Sequence, residues 1–126
     1  MTFAYWCVLV AALMPFAWTV SAKGGGRFRN RDNHNPREFL EKLSGWQKRA
    51  HWAQLNSFEA FPAFAAAVII AHIAGAEQGT VNALAAVFIL ARIAYGLLYI
   101  TDHARLRSVA WFVGIGCVVG LFIAAA

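Results

Sequence analysis

The chain reads as an all-α integral membrane protein, a four-helix bundle in a single domain covering residues 1–126. Three observations predict it. The composition is 60% hydrophobic and only 13% charged, with a mean hydropathy of +0.55. A soluble domain of this length has too little interior to hide that much apolar surface. Next, four apolar runs stand out, at about residues Phe3–Ala22, Phe58–Ala76, Val81–Ile100 and Val109–Ala126. Each is close to the roughly 20 residues needed to cross a hydrocarbon core about 30 Å thick. Finally, the runs are continuous, without the period-two alternation of a transmembrane β-barrel.

The charge pattern excludes a nucleic-acid partner and orients the bundle. The net charge of +5 comes from 11 Lys and Arg against 6 Asp and Glu. Lys23, Arg27, Arg29, Arg31 and Arg37 lie between the first two runs, and Lys42, Lys48 and Arg49 follow closely. Arg105 and Arg107 lie between the last two, whereas the Gly75–Thr80 connection and both termini carry no Lys or Arg side chain. The positive-inside rule then puts the loop at about residues 23–37 in the cytoplasm and both termini outside.

In the first run, Val20-Ser21-Ala22 resembles a signal-peptide cleavage site. No basic residue precedes its apolar core, however, and the positive charge follows it, so the segment is expected to stay as a span. Pro15 should kink it and free a carbonyl for a neighbour. After the glycine-rich loop, Asn35, Pro36 and Glu38 predict a helix start with a capping box. From Pro36 to Ala76 the only breaker is the mild Ser44-Gly45, so one long helix is expected, with Pro62 interrupting it near the membrane surface. Thr80 is placed to cap the third helix. Gly116 and Gly120 in the fourth have the small-xxx-small spacing of close helix packing.

The candidate chemistry gathers on two of these helices. At 100° per residue, Arg49, Asn56 and Glu59 fall within about 80° of each other, with Ala60, Ala63 and Ala67 on nearly the same side. Glu59 lies past the start of an apolar run, where a lone carboxylate costs on the order of 3 kcal/mol, so it needs a partner. Arg92, at similar depth on the next helix, is the candidate. Two readings remain open. The charges form a structural ion pair that sets helix register, or they line a site for a zwitterionic, partly anionic ligand. Asn56 supplies an amide that both donates and accepts. Tyr95 and Tyr99 share the Arg92 face, as an aromatic belt or as ligand contacts. Trp46 and Trp52 are expected to mark the membrane surface. Arg105 and Arg107 are topology determinants, or a positive cap over the site that favours a thiolate.

Other chemistry is not indicated. His34, His51, His72 and His103 form no HxxxH or HExxH pattern, so no metal is expected. Cys7 and Cys117 lie in separate runs, which argues against a disulfide framework. There is no phosphate loop and no Ser-His-Asp set.

Arg49-Ala50, then Ala53-Gln-Leu-Asn-Ser-Phe-Glu-Ala-Phe-Pro62, then Ala91-Arg-Ile-Ala-Tyr-Gly-Leu-Leu-Tyr99, resemble the MAPEG family, membrane-associated proteins in eicosanoid and glutathione metabolism. The likeness is to the short bacterial members and runs through all four spans. It implies a homotrimer in the bacterial inner membrane, with glutathione as co-substrate held between subunits near the cytoplasmic surface. It implies that Arg49, Asn56, Glu59, Arg92, Tyr95 and Tyr99 contact glutathione. Trp52 stands where members often carry an arginine, and Leu106 stands where a thiolate-stabilising arginine is expected, straddled by the catalytic candidates Arg105 and Arg107.

The expected function is therefore a glutathione-dependent transferase or peroxidase acting on lipophilic electrophiles. The alternative is a non-catalytic module that binds lipid or a membrane partner, its polar residues serving assembly. A small transporter is a weaker third reading, since no pair of broken helices is present.

Overall fold

The computed structural model describes residues 1–126. It contains α1 (Phe3–Gly25), a short 3-10 turn (Asn30–His34), α2 (Pro36–Glu41), α3 (Gly45–Ile73), α4 (Gln78–Ile100) and α5 (Ala104–Ala125). Of these, α1, α3, α4 and α5 are long and apolar enough to cross a membrane. Neither Pro15 nor Pro62 interrupts its helix.

A common spacing explains how the four long helices pack. The buried residues Ala4, Cys7, Ala11, Met14 and Trp18 follow alternating steps of three and four along α1. Ala50, Ala53, Ser57, Phe64, Ala67 and Ala71 keep that register along α3, as do Val81, Ala85, Phe88, Arg92 and Tyr95 along α4. Ala110, Gly114, Cys117 and Leu121 do so on α5. A repeat averaging 3.5 residues gives each helix one seam, the geometry of left-handed bundles. Where the seam residues are small, the backbones approach closely, and dispersion replaces the hydrophobic driving force that lipid does not supply.

Glycines sharpen this at particular crossings. A side chain on Gly96 of α4 would come within 2.1 Å of the Trp18 indole of α1, so the close approach requires glycine. Gly114 of α5 sits beside Arg92 and Phe88. The predicted Gly116–Gly120 pair is half used, because Gly120 rests against Leu84 while Gly116 meets nothing. Phe64 and Phe88 stack with centroids 3.8 Å apart and join α3 to α4 at the centre.

Three local expectations need correction. The segment from Pro36 to Ala76 is two helices and a turn. Lys42–Ser44 break it, and Gly45 adopts the left-handed φ of +59° that reverses the chain at little cost for glycine. Asn35 does precede α2, with Pro36 in its first turn, but its side chain makes no cap and no box forms with Glu38. Glu38 instead pairs with Lys42 one turn on, at 2.5 Å. Thr80 does not cap α4. The Glu77 carboxylate takes the Gly79 and Thr80 amides at 2.7 and 2.5 Å, so the helix starts earlier and Thr80 lies inside its first turn.

The loop after α1 is folded back on the base of α3. A side chain on Gly25 would meet the Trp46 ring at 2.2 Å, and one on Gly26 would meet Leu43 at 2.5 Å. Phe28 packs edge-on against Phe39. Trp46 thus clamps the chain at the foot of α1. This basic end of the bundle carries the loop and the α4–α5 turn, and the opposite end carries both termini and the α3–α4 turn.

Candidate functional site

Seam positions 92, 95 and 99 of α4 carry polar groups, whereas the earlier seam residues Val81, Ala85 and Phe88 are apolar. Arg92 is only 3% exposed. Its Nη2 donates to Asn56 Oδ1 at 2.7 Å, and its guanidinium lies 4.3 Å from the centroid of the Tyr95 ring. Asn56 Nδ2 in turn donates to Glu59 Oε2 at 3.1 Å. The expected direct Glu59–Arg92 ion pair is therefore replaced by a bridge through the Asn56 amide. One turn of α3 sets Asn56 and Glu59 side by side, and only the nearer of them reaches α4.

The amide's two ends match the two charges. Its carbonyl oxygen faces the cation and its NH₂ faces the anion, so one side chain serves both. The consequence is asymmetric: the cation is buried, and the carboxylate stays exposed to a groove. That groove, of about 310 Å³, is lined by Trp52, Leu55, Asn56, Glu59, Tyr95 and Tyr99. It is at the small end of ligand-site volumes. A second crevice of about 60 Å³ lies behind it, where Glu59 and Arg92 meet Trp111 and Gly114 of α5.

Tyr95 and Tyr99 meet edge to face with centroids 5.7 Å apart, and Trp52 is 6.2 Å from Tyr99. Arg107 reaches over from α5 and lies 4.2 Å from the Tyr99 ring centroid. An arginine on an aromatic face keeps its planar donors free at the edge for an anion. Arg105, two residues earlier, is exposed and forms no ion pair or ring contact.

The residues singled out from the sequence therefore divide. Asn56, Glu59, Arg92, Tyr95, Tyr99 and Arg107 come together. Arg49 does not line the groove; its Nε donates to the Ile100 carbonyl at 3.0 Å, satisfying the exposed C-terminus of α4. Trp52, expected at the membrane surface and at a position where members of the resembled family often carry an arginine, is a wall of the groove, and Leu55, not singled out from the sequence, is another. The signal for both was available, since they lie one turn before Asn56 and Glu59, but bulky apolar residues near a membrane surface have a simpler use. Cys7 and Cys117 are free, buried thiols in α1 and α5, away from the groove.

No curated protein matches the chain. The model of the MAPEG family, however, matches residues 3–126, nearly the whole length, from the first turn of α1 to the last residue. Taken with four apolar helices packed in one bundle, that match makes the chain a multi-pass integral membrane protein that belongs to the MAPEG family.

Proposed function

We propose that the protein is a glutathione-dependent transferase or peroxidase that acts on lipophilic electrophiles reaching it from the bilayer. The observation that carries this reading is the asymmetry of the Arg92–Asn56–Glu59 bridge. A purely structural pair would hide both charges against each other, whereas here the carboxylate remains open to a groove walled by tyrosines and tryptophan. Glutathione offers an ammonium for Glu59, carboxylates for arginine and tyrosine donors, and a thiol for Arg107. Arg107 favours the thiolate and the thiol proton passes to solvent. The sulfur then attacks the electrophile's carbon. The C–S bond forms as a leaving group such as halide departs to solvent or, with an activated alkene, as the adjacent carbon takes up a proton. Arg107 is preferred over Arg105 for this role because it already lies against Tyr99.

The groove is open along the outer side of α3, where Leu55 and Phe58 are also exposed. A second copy closing it accounts for that opening, so the proposed working form is a homotrimer with shared sites. Both functional ends of the groove then lie near the membrane surface, within about 12 Å of the end of α4.

The test combines binding and turnover on the purified protein. Glutathione at 100 times its dissociation constant should add about 2.7 kcal/mol of stability, read as a raised melting temperature. Conjugation of a generic aryl electrophile should be measurable, and Arg107→Gln should lower the thiolate fraction at neutral pH, and the rate with it, by up to about tenfold for each unit by which the thiol pKa rises. Arg105→Gln should cost less. No thermal shift and no conjugation at millimolar glutathione would overturn the proposal in favour of an assembly module.

A further inference from the structure

We propose that the groove on the outer side of the α4–α5 pair holds one acyl chain of a membrane phospholipid, with the lipid phosphate resting on Arg105. The groove, about 400 Å³, is lined only by hydrophobic residues, among them Val87, Leu90, Ala94 and Leu98 of α4 and Leu106 and Val113 of α5. It is distinct from the glutathione groove. At 100° per residue its residues on α4 centre about 145° from Arg92 and about 85° from Tyr95, so the two sites use different faces of one helix.

Its shape follows from side-chain size. Ala91, Ala94 and Ala110 form a low floor, and Leu90, Leu106 and Val109 form a raised, exposed rim. Its length is that of one leaflet. Val87 to Leu98 covers about 16 Å at 1.5 Å per residue, half of a hydrocarbon core about 30 Å thick. It occupies the half of α4 nearest the α4–α5 turn, so it runs from mid-membrane to the surface at the basic end.

Charge selects the occupant. Arg105 immediately precedes Leu106 and stands one turn before Val109, which places it on the rim at the surface end. It is exposed and has neither an ion pair nor an aromatic partner, unlike Arg107, which is turned to Tyr99. The turn carries two arginines against one carboxylate, Asp102, a net of one positive charge. That suits a single phosphodiester better than an extended polyanion. An arginine fork pairs well with phosphate oxygens. The chain slot and the headgroup cation thus line up along one lipid. This assignment does not depend on what the groove at Asn56 and Glu59 binds.

The experiment uses the full-length protein in lipid nanodiscs containing phosphatidylglycerol with a photoactivatable diazirine in one acyl chain. Adducts are mapped by mass spectrometry. Labelling should concentrate at Leu90, Ala94 and Val109, several-fold above Val119 and Ile123, which are also outward-facing on α5. Arg105→Gln should reduce labelling in the groove several-fold while leaving Val119 and Ile123 unchanged. Ala94→Phe, which fills the floor, should do the same without touching the cation. Equal labelling at all five positions would mean ordinary annular lipid and overturn the proposal. So would cross-links from the groove to a second copy of the chain, or groove labelling indifferent to Arg105→Gln.

Discussion

Arg92 is the side chain whose burial has to be offset most directly. An arginine at bilayer depth costs on the order of 3 kcal/mol even by mild insertion scales. It is met by an amide oxygen at 2.7 Å and a tyrosine ring rather than by a carboxylate in contact. A hydrogen bond to a charged group contributes about 1.5–3 kcal/mol, so Asn56 is worth more here than an exposed asparagine. Asn56→Leu should therefore lower stability by about 3 kcal/mol, since both bonds of the bridge are lost. In double-mutant cycles read by thermal or denaturant unfolding, Asn56→Leu and Arg92→Leu should be strongly non-additive. Glu59→Gln and Arg92→Leu should couple more weakly, because their contact is indirect. Additivity of the Asn56–Arg92 cycle would remove the bridge from the account.

At the scale of elements, the seams depend on small residues and the helix ends on side-chain reach. Trp18 of α1 fits over Gly96 of α4 because no side chain is there. Gly96→Ala should cost about 1–3 kcal/mol by overpacking, and trimming Trp18 to Leu in the same chain should recover part of it. Glu77 gives the α4 start a pH dependence. The Thr80 side chain and the Gly79 and Thr80 amides hold its carboxyl below the ordinary carboxylate range. A lowered folded-state pKa means the cap contributes fully above the unfolded value and is lost as pH falls through the folded one. The protection of the first-turn amides of α4 against hydrogen exchange, taken relative to the intrinsic rate at each pH, should fall in acid, and Glu77→Gln should remove that dependence. An acid response that persists in the variant would assign it to another group.

The whole molecule is polarised from end to end. Both termini and the Glu77 turn lie at one end, and the basic loop, Arg107 and the aromatic groove lie toward the other. An even number of membrane-crossing helices keeps the termini on one side, and the distribution of Lys and Arg predicts that this side is outside the cytoplasm. A C-terminal alkaline phosphatase fusion should be active and a fluorescent-protein fusion at the same position dark. The reverse result would put the groove on the side away from cytosolic glutathione.

What the amino-acid order determines by itself is the part governed by composition and period. Four long apolar runs dictate helices, since a backbone in lipid has to bond within its own segment. The 3.5-residue spacing dictates which face of each is buried, and so puts Arg92, Tyr95 and Tyr99 on one seam. Asn56 and Glu59 could be placed on a common face for the same reason. The rest depends on how far helices are rotated and shifted against each other, which periodicity does not encode. One turn along α3 makes Asn56, not Glu59, the residue that touches Arg92. Arg105 and Arg107 differ by about 200° around α5, so packing turned Arg107 to Tyr99 and left Arg105 exposed. Helix ends were decided by competition between neighbours: Glu77 reached the α4 amides ahead of Thr80, and Gly45 alone took the left-handed turn that separates α2 from α3.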